Sequence, residues 1–86
     1  ETLRRWPPAP AIDRLCVKDY QLDDGNGLSF KIDKDTALWF PVHALHNDPQ
    51  YFPNPAKFDP ERFSDNRKGS IKPGTYLPFG IGPRNC

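Results

Sequence analysis

Apolar residues follow different spacings in different stretches of the chain, and each spacing predicts a different element. Residues 1–6, ETLRRW, fit the last turns of a helix, and the prolines that follow prevent its continuation. Residues 11–22, AIDRLCVKDYQL, alternate around Leu15 and Val17. This alternation predicts a strand with those two side chains facing inward.

The middle of the chain predicts a hairpin and then a third strand. The DDGNG of residues 23–27 is a strong turn signal, and LSFKID at 28–33 would return beside the preceding strand. Residues 36–45, TALWFPVHAL, form the most apolar stretch, which is too short for a buried helix with an internal proline. We therefore expect a strand there, interrupted at Pro41.

A different pattern begins at Asn47, where three residues suited to cap a helix each precede a proline. These residues are Asp48, Asn54 and Asp59. Proline is favoured at the first position of a helix, directly after the capping residue. The pattern predicts short helical turns and loops as far as residue 70, and then a glycine-bearing loop.

Composition indicates a small domain with a thin core. The 86 residues are 36% hydrophobic and include 11 prolines, and the mean hydropathy is −0.77. Little apolar surface is therefore present to offset the chain entropy that folding removes. We do not expect the chain to be stable by itself.

The distribution of charge excludes nucleic acid as a partner. The 12 basic and 11 acidic residues are mixed along the chain and give a net charge of +1, without the basic stripe that nucleic-acid binding needs. No stretch approaches the roughly 20 apolar residues of a membrane span, and no signal peptide is visible. Because residue 1 is Glu and not Met, we expect a processed chain or a fragment.

One candidate for chemistry is a group of ionisable residues. Glu1 and Arg4 are three residues apart, so they share one face of a helix. Arg62 stands between Pro60 and Phe63 in DPERF, where a cation beside apolar residues needs a carboxylate partner, and Glu1 is a candidate for that partner.

The chain ends in PFGIGPRNC, which is the second candidate. Gly80 and Gly82 permit a positive φ and a close approach to a flat ligand, and Phe79 offers an apolar shield. Arg84 suits a carboxylate, and Cys86 is a soft metal ligand once it is deprotonated. Such a loop could hold a planar macrocycle with carboxylates and an axial metal, or it could be a surface turn with a buried free cysteine.

Two other interpretations stay open on the residues alone. WPPAP and FPNP are typical of a proline-rich interaction module that binds aromatic grooves. The other interpretation is a small zinc-binding domain, whose four ligands would be Cys16, His43, His46 and Cys86. The spacing of these four residues matches no common zinc module.

Three motifs in this order resemble one protein family. Glu1-x-x-Arg4, then FDPERF, then PFGIGPRNC are similar to the C-terminal signature series of the cytochrome P450 family, the haem-thiolate monooxygenases. The resemblance covers essentially the whole chain, including CVKDYQL and HALHNDPQYFPNPAKFDPERF, and is greatest to insect microsomal members.

The resemblance implies roles for the residues of the terminal loop. Cys86 would be the proximal thiolate ligand of the iron in haem b. Arg84 would pair with a haem propionate and Phe79 would pack in the proximal pocket. Gly80 and Gly82 would shape the loop around the ligand.

The resemblance also implies a structural network that aids haem incorporation. Glu1 and Arg4 match the E-x-x-R motif of helix K in the family. Arg62 matches the arginine that joins this pair to the segment called the meander. None of these residues would be catalytic.

The fold implied by the resemblance is an α+β fragment of the mostly α P450 fold, in one partial domain, 1–86. Its parts would be the end of helix K at 1–6, a strand region at 7–46, the meander at 47–70 and the haem-ligand loop at 71–86. We keep the name haem-ligand loop for residues 71–86.

Two positions depart from the family pattern. Many members place Arg or His after the proline-rich stretch to hold a propionate, but the matching residue is Ala11, so Arg84 or a residue outside the chain would carry more of that charge. Asp35 stands where members commonly have Gly, which weakens the strand register predicted there. Residues 8–12 match a substrate-facing segment of the family.

The activity implied by the resemblance is monooxygenation. The chain would be the haem- and iron-binding part of an enzyme that activates O2 and inserts one oxygen atom into a small hydrophobic organic substrate. An NADPH-dependent flavoprotein reductase and a location on the endoplasmic reticulum membrane are implied in the same way. Since the oxygen-activating helix and most of the substrate pocket would precede residue 1, we expect these 86 residues alone to be inactive.

Overall fold

Short helices and strands alternate with irregular segments along the chain. A computed structural model describes residues 1–85; Cys86 lies outside the described residues. In chain order the elements are α1 (Thr2–Arg5), β1 (Ile12–Leu15), β2 (Tyr20–Asp23), β3 (Ser29–Ile32), β4 (Ala37–Phe40), α2 (Val42–His46) and the 3₁₀ helices Pro60–Phe63 and Lys68–Ser70. The arrangement is of the α+β class that the sequence predicts.

The hairpin predicted around DDGNG is present as β2 and β3. These strands pair antiparallel from Tyr20 opposite Ile32 to Asp23 opposite Ser29. In the turn, the Asp24 carboxylate accepts hydrogen bonds from the backbone N–H groups of Asn26 and Leu28. Aspartate side chains commonly stabilise turns in this way, which is why the sequence signal was sufficient.

The strand predicted over residues 11–22 is wrong as a single strand, because its two halves belong to different sheets. β1 pairs antiparallel with β4, whereas β2 pairs with β3. The chain changes direction between the halves, where the Asp19 carboxylate accepts a hydrogen bond from the backbone N–H of Lys34 at 2.8 Å. The inward orientation predicted for Leu15 and Val17 is also wrong, since these side chains are 62% and 75% exposed.

Asp35 adopts the backbone conformation for which glycine is commonly used. Its φ is 70°, in the left-handed region that Asp tolerates better than most residues. Its N–H donates to the carbonyl of Cys16 at 2.7 Å, directly before β4 pairs with β1. The substitution therefore leaves the strand pairing intact.

The strand predicted through residues 36–45 is wrong after Pro41, because residues 42–46 are helical. Proline has no N–H to donate to a neighbouring strand, so β4 stops there. The Pro41 carbonyl accepts a hydrogen bond from Leu45 at 3.0 Å, which begins α2, and His43 N–H donates to the Pro10 carbonyl.

Among the three capping signals, only the third begins a helix. Asp59 accepts a hydrogen bond from the Glu61 N–H at 3.1 Å, at the start of the 3₁₀ helix Pro60–Phe63. The residues after Asp48 and Asn54 form hydrogen-bonded turns instead.

The interior of the described chain contains as many buried polar side chains as apolar ones. The buried apolar residues are Ile32, Val42, Phe52 and Leu77. The buried polar and charged residues are Arg4, His46, Arg62 and Thr75. Within residues 1–85, no buried side-chain nitrogen or oxygen lacks a hydrogen-bond partner. The interior therefore depends on hydrogen bonds and ion pairs as well as on apolar contact.

Candidate functional site

A buried carboxylate joins two arginines that are far apart in sequence. Helix α1 brings Arg4 to Glu1, and two of its nitrogens donate to the two carboxylate oxygens at 2.8 and 2.7 Å. Arg62, from the 3₁₀ helix, donates through Nε to Glu1 Oε1 at 3.3 Å. The side chains of Glu1 and Arg4 are 1% and 0% exposed. Paired contacts of this kind combine charge with fixed geometry.

The same arginines also bind backbone carbonyls of the irregular segment. Arg62 donates to the carbonyls of Pro53 and Asn54 at 2.6 and 2.7 Å. Arg4 donates to the carbonyl of Pro55 at 2.8 Å. Because this segment has no regular ladder to satisfy its carbonyls, the guanidinium groups supply the donors. The network therefore determines the path of residues 53–57.

The partners of Glu1 keep its carboxylate ionised. Burial alone raises the pKa of Glu1, but the hydrogen bond from Arg4, the Asp59 N–H and the charges of Arg4 and Arg62 outweigh burial. Together they lower the pKa from 4.5 to about 2. At neutral pH the network therefore contains one anion and two cations.

His46 connects this network to the haem-ligand loop. Its Nδ1 is 3.1 Å from the carbonyl oxygen of Arg4, and its Nε2 accepts a hydrogen bond from the Leu77 N–H at 2.8 Å. The side chain is fully buried. Sequence reasoning placed His46 only among zinc ligands, and nothing in the local sequence distinguishes it from His43.

The described part of the haem-ligand loop lines a cavity at the surface. This cavity has a volume of about 410 Å³ and is lined by Arg14, Ile81, Gly82, Pro83 and Arg84. Gly80 and Gly82 have φ of 78° and 119°, which side-chain-bearing residues rarely adopt. Phe79 is about half exposed.

Two arginines line the cavity, although sequence reasoning identified only Arg84. Arg14 lies on β1, and its Nη2 would be 3.9 Å from a Cβ added at Gly80. Ala11, the position expected to lack a cation, lies directly before β1. Arg14 was missed because the packing of the loop against β1, and not sequence spacing, brings the two together.

The whole chain matches a known protein family. Residues 1–86 match the family model of cytochrome P450.

The chain belongs to the cytochrome P450 family.

Curated P450s from insects and mammals are similar to this chain. It is 57% identical over 86 residues to cytochrome P450 9e2 of Blattella germanica and 54% to probable cytochrome P450 9f2 of Drosophila melanogaster. It is 52% identical to cytochrome P450 3A2 of Rattus norvegicus. Each alignment covers 100% of this chain and 16% of the relative. The resemblance inferred from the three motifs is confirmed, and the chain spans about a sixth of the length of these P450s.

The zinc interpretation gains no support in this P450 chain. Within residues 1–85, no three His, Cys, Asp or Glu side chains form a group able to hold a metal ion. Both ring nitrogens of His46 have backbone partners, so neither is available as a metal ligand. Cys16 donates its thiol to the Lys18 carbonyl at 2.9 Å, and Cys86 lies outside the described residues.

The remaining expectations concern interaction and membrane segments. The FPNP motif, proposed for a proline-rich module, has carbonyls bound by Arg4 and Arg62 within the chain. None of the helices in the described part of this P450 chain combines the length and apolar character required to cross a membrane.

Proposed function

We propose that these residues form the proximal haem-binding part of a P450 monooxygenase. Cys86 would ligate the iron of haem b, Arg84 would pair with a propionate, and Phe79, Gly80 and Gly82 would form the surface next to the macrocycle. The observation that carries the proposal is a cavity lined by Arg14 and Arg84, beside a loop whose two glycines have positive φ and which leads in sequence to Cys86.

The chemistry of the described residues fits a haem. A haem carries two propionates, and guanidinium groups are well suited to carboxylates. Among residues 1–85, no atom lies within 4 Å of a Cβ added at Gly82, apart from its neighbours in the chain, so space is open before the loop backbone. Arg14, which lines the cavity, would supply the cation that Ala11 does not. We therefore assign Arg14 and Arg84 as the two candidate propionate partners.

The other parts of the chain would support the site without taking part in bond making. When it is bound, haem with a cysteine thiolate supplies the O2-activating chemistry of P450s. Helix α1 would be the end of helix K and residues 47–70 the meander. The ion pairs of Glu1 with Arg4 and Arg62 hold these two parts together. The segment that precedes the haem-ligand loop is therefore held in place.

Exposed apolar side chains support the expectation that the 86 residues do not act alone. Trp39 of β4, Val17 and Ile81 are 70%, 75% and 63% exposed. Apolar surface in this amount is typical of an interface. In a full-length P450 the rest of the fold would cover it, so we expect the isolated chain neither to bind haem natively nor to catalyse oxidation.

The proposed enzyme would use O2 and a small hydrophobic organic substrate. We propose an NADPH-dependent flavoprotein reductase as the electron donor and the endoplasmic reticulum membrane as the location. A full-length P450 carrying these residues, placed in microsomes with and without the reductase, tests the electron donor: NADPH should be oxidised in a manner that depends on the reductase. Reduction of the haem without the reductase would contradict the assignment of the partner.

The ligand assignment is tested in the same full-length P450 with two cysteine variants. Cys86→Ala should abolish the red-shifted, thiolate-type absorption band of the reduced CO complex. Cys16→Ala is the matched control, because the thiol of Cys16 is already engaged with Lys18 and it should leave the band unchanged. A thiolate-type band that persists in Cys86→Ala would contradict the proposal.

A further inference from the structure

The hydrogen bonds of the His46 side chain determine which nitrogen carries its proton. Nδ1 lies 3.1 Å from the Arg4 carbonyl oxygen, which can only accept, so Nδ1 must be protonated. Nε2 lies 2.8 Å from the Leu77 nitrogen, whose hydrogen can only be donated, so Nε2 must carry a lone pair. The imidazole is therefore the neutral Nδ1–H tautomer.

The contact between α1 and α2 is reciprocal. The His46 ring donates to the Arg4 carbonyl, and Arg4 Nη1 donates to the His46 carbonyl at 2.7 Å. The ring also packs against Tyr76 and Phe52, with centroid distances of 5.3 and 6.3 Å. Protein groups therefore surround the imidazole, and replacing it with a non-polar ring would leave the Leu77 N–H without its partner.

We propose that His46 is a positioning residue that fixes the haem-ligand loop, at Leu77, to helix α1, and that it does so only while its Nε2 is unprotonated. Leu77 stands two residues before Phe79, so its hydrogen bond to His46 sets where the cofactor-facing part of the loop begins. This inference rests on the proposed haem-binding function and adds a residue through which the network of Glu1, Arg4 and Arg62 supports the loop.

A second proton on the ring would break the connection. A hydrogen on Nε2 would point at the hydrogen of Leu77, and both groups would then be donors. The titratable and charged groups that face the ring are Arg4 from α1 with its partner Glu1, His43 from α2 and Tyr76 from the loop. Of these, Arg4 is a cation whose charge is offset by the carboxylate of Glu1, with which it forms an ion pair.

The surroundings of His46 favour its neutral form. Burial lowers its pKa below 6.5; the hydrogen bond to the Arg4 carbonyl opposes this change, and the charges of Arg4 and His43 add to it. Since the pKa is lower in the folded chain than in the unfolded one, the unfolded chain binds more protons below about pH 6.5. The contribution of His46 is therefore complete above that pH and is lost as the pH falls below it.

The experiment compares His46→Gln with His43→Gln in a haem-loaded, full-length P450 carrying this segment. His43 is a matched control because it is an exposed histidine one turn earlier on the same helix. The readout is the fraction of reduced, CO-bound haem with a thiolate-type band, measured between pH 5 and pH 8. Cys86→Ala defines the spectrum without the thiolate.

We expect the wild-type protein and His43→Gln to lose the thiolate-type fraction in a one-proton step below about pH 6.5. His46→Gln should lack this step, and at pH 7.5 its band should be lower by about fivefold, the factor expected when one hydrogen bond is lost. If His46→Gln yields no haem protein, the wild-type profile decides, because a thiolate-type fraction that does not fall in acid below about pH 6.5 would overturn the inference.

Two other results separate this inference from the proposed function. A wild-type protein without a thiolate-type band at pH 7.5 would overturn the haem-binding proposal and this inference with it. A wild-type band whose size and acid step are unchanged in His46→Gln would overturn the inference alone.

Discussion

Arg62→Ala should destabilise the chain more than any other single arginine substitution in the irregular segment. The guanidinium of Arg62 is nearly buried and donates to Glu1 and to the carbonyls of Pro53 and Asn54. Removing it leaves two short hydrogen bonds to carbonyls unmade, each at a cost of about 1–3 kcal/mol. Removing one partner of a buried ion pair generally lowers stability by about 3–5 kcal/mol. This magnitude agrees with the cost of the two lost hydrogen bonds.

The assay uses a full-length P450 carrying this segment. We expect Arg62→Ala to lower the haem content per protein and the urea midpoint, because 3 kcal/mol changes an equilibrium by about a hundredfold. Arg62→Lys should recover only part of the loss, since an ammonium keeps the charge but cannot donate in the planar fork that reaches both carbonyls.

Arg67→Ala is the matched control for this prediction. Arg67 lies five residues later, is half exposed and pairs with Asp59 at 3.1 Å. Exposed pairs contribute little to stability, so this variant should behave as the wild-type protein does. If Arg62→Ala and Arg67→Ala lowered the haem content and urea midpoint equally, this prediction would be wrong, because burial of the arginine would then not affect the loss of stability.

Three further predictions follow from the same geometry. The pKa of Glu1 is lowered to about 2, so its contribution to stability is complete above about pH 4.5 and is lost toward pH 2. Between these pH values the urea midpoint of Glu1→Gln should therefore fall less than that of the wild-type protein. An equal fall in the two proteins would contradict this prediction. Gly82→Ala should lower the free energy of unfolding by about 1–3 kcal/mol, and with it the haem content, because φ at Gly82 is 119°. Gly69 has an ordinary φ and open space around it, so Gly69→Ala should leave the haem content unchanged. Arg14→Gln should speed haem transfer to an acceptor protein about tenfold, as expected for the loss of one charge-assisted hydrogen bond; an unchanged rate would remove Arg14 from the propionate site.

Features defined by local sequence were predictable. The i, i+3 spacing of Glu1 and Arg4, the turn at DDGNG and the capping of a helix by Asp59 each depend on residues a few positions apart. Their energetics are set within one turn of chain, so sequence spacing is sufficient to find them.

Features defined by distant backbone partners were not predictable. The strand expected over residues 11–22 divides between two sheets, where the Asp19 carboxylate accepts a hydrogen bond from the backbone N–H of Lys34, fifteen residues later. His46 bridges the backbone carbonyl of Arg4 and the backbone N–H of Leu77. The pattern of side chains along the sequence does not indicate these backbone partners. Backbone N–H and carbonyl groups are the same in nearly all residue types, so the sequence does not indicate which of them will form such hydrogen bonds.

The terminal loop falls between these two cases. The motif predicts roles for the glycines, Arg84 and Cys86, and the positive φ of Gly80 and Gly82 agrees with the reason given for glycine there. Arg14 lines the same cavity because the loop packs beside β1, which the motif does not indicate. The motif therefore predicts the loop, whereas Arg14 is a candidate only from the structure.

The most direct test of the account is X-ray absorption at the iron edge of a full-length P450 carrying these residues. We expect one sulfur atom bound to iron in the wild-type protein and in Cys16→Ala, and none in Cys86→Ala. Iron bound only to nitrogen and oxygen in the wild-type protein, or a sulfur ligand that persists in Cys86→Ala, would contradict it.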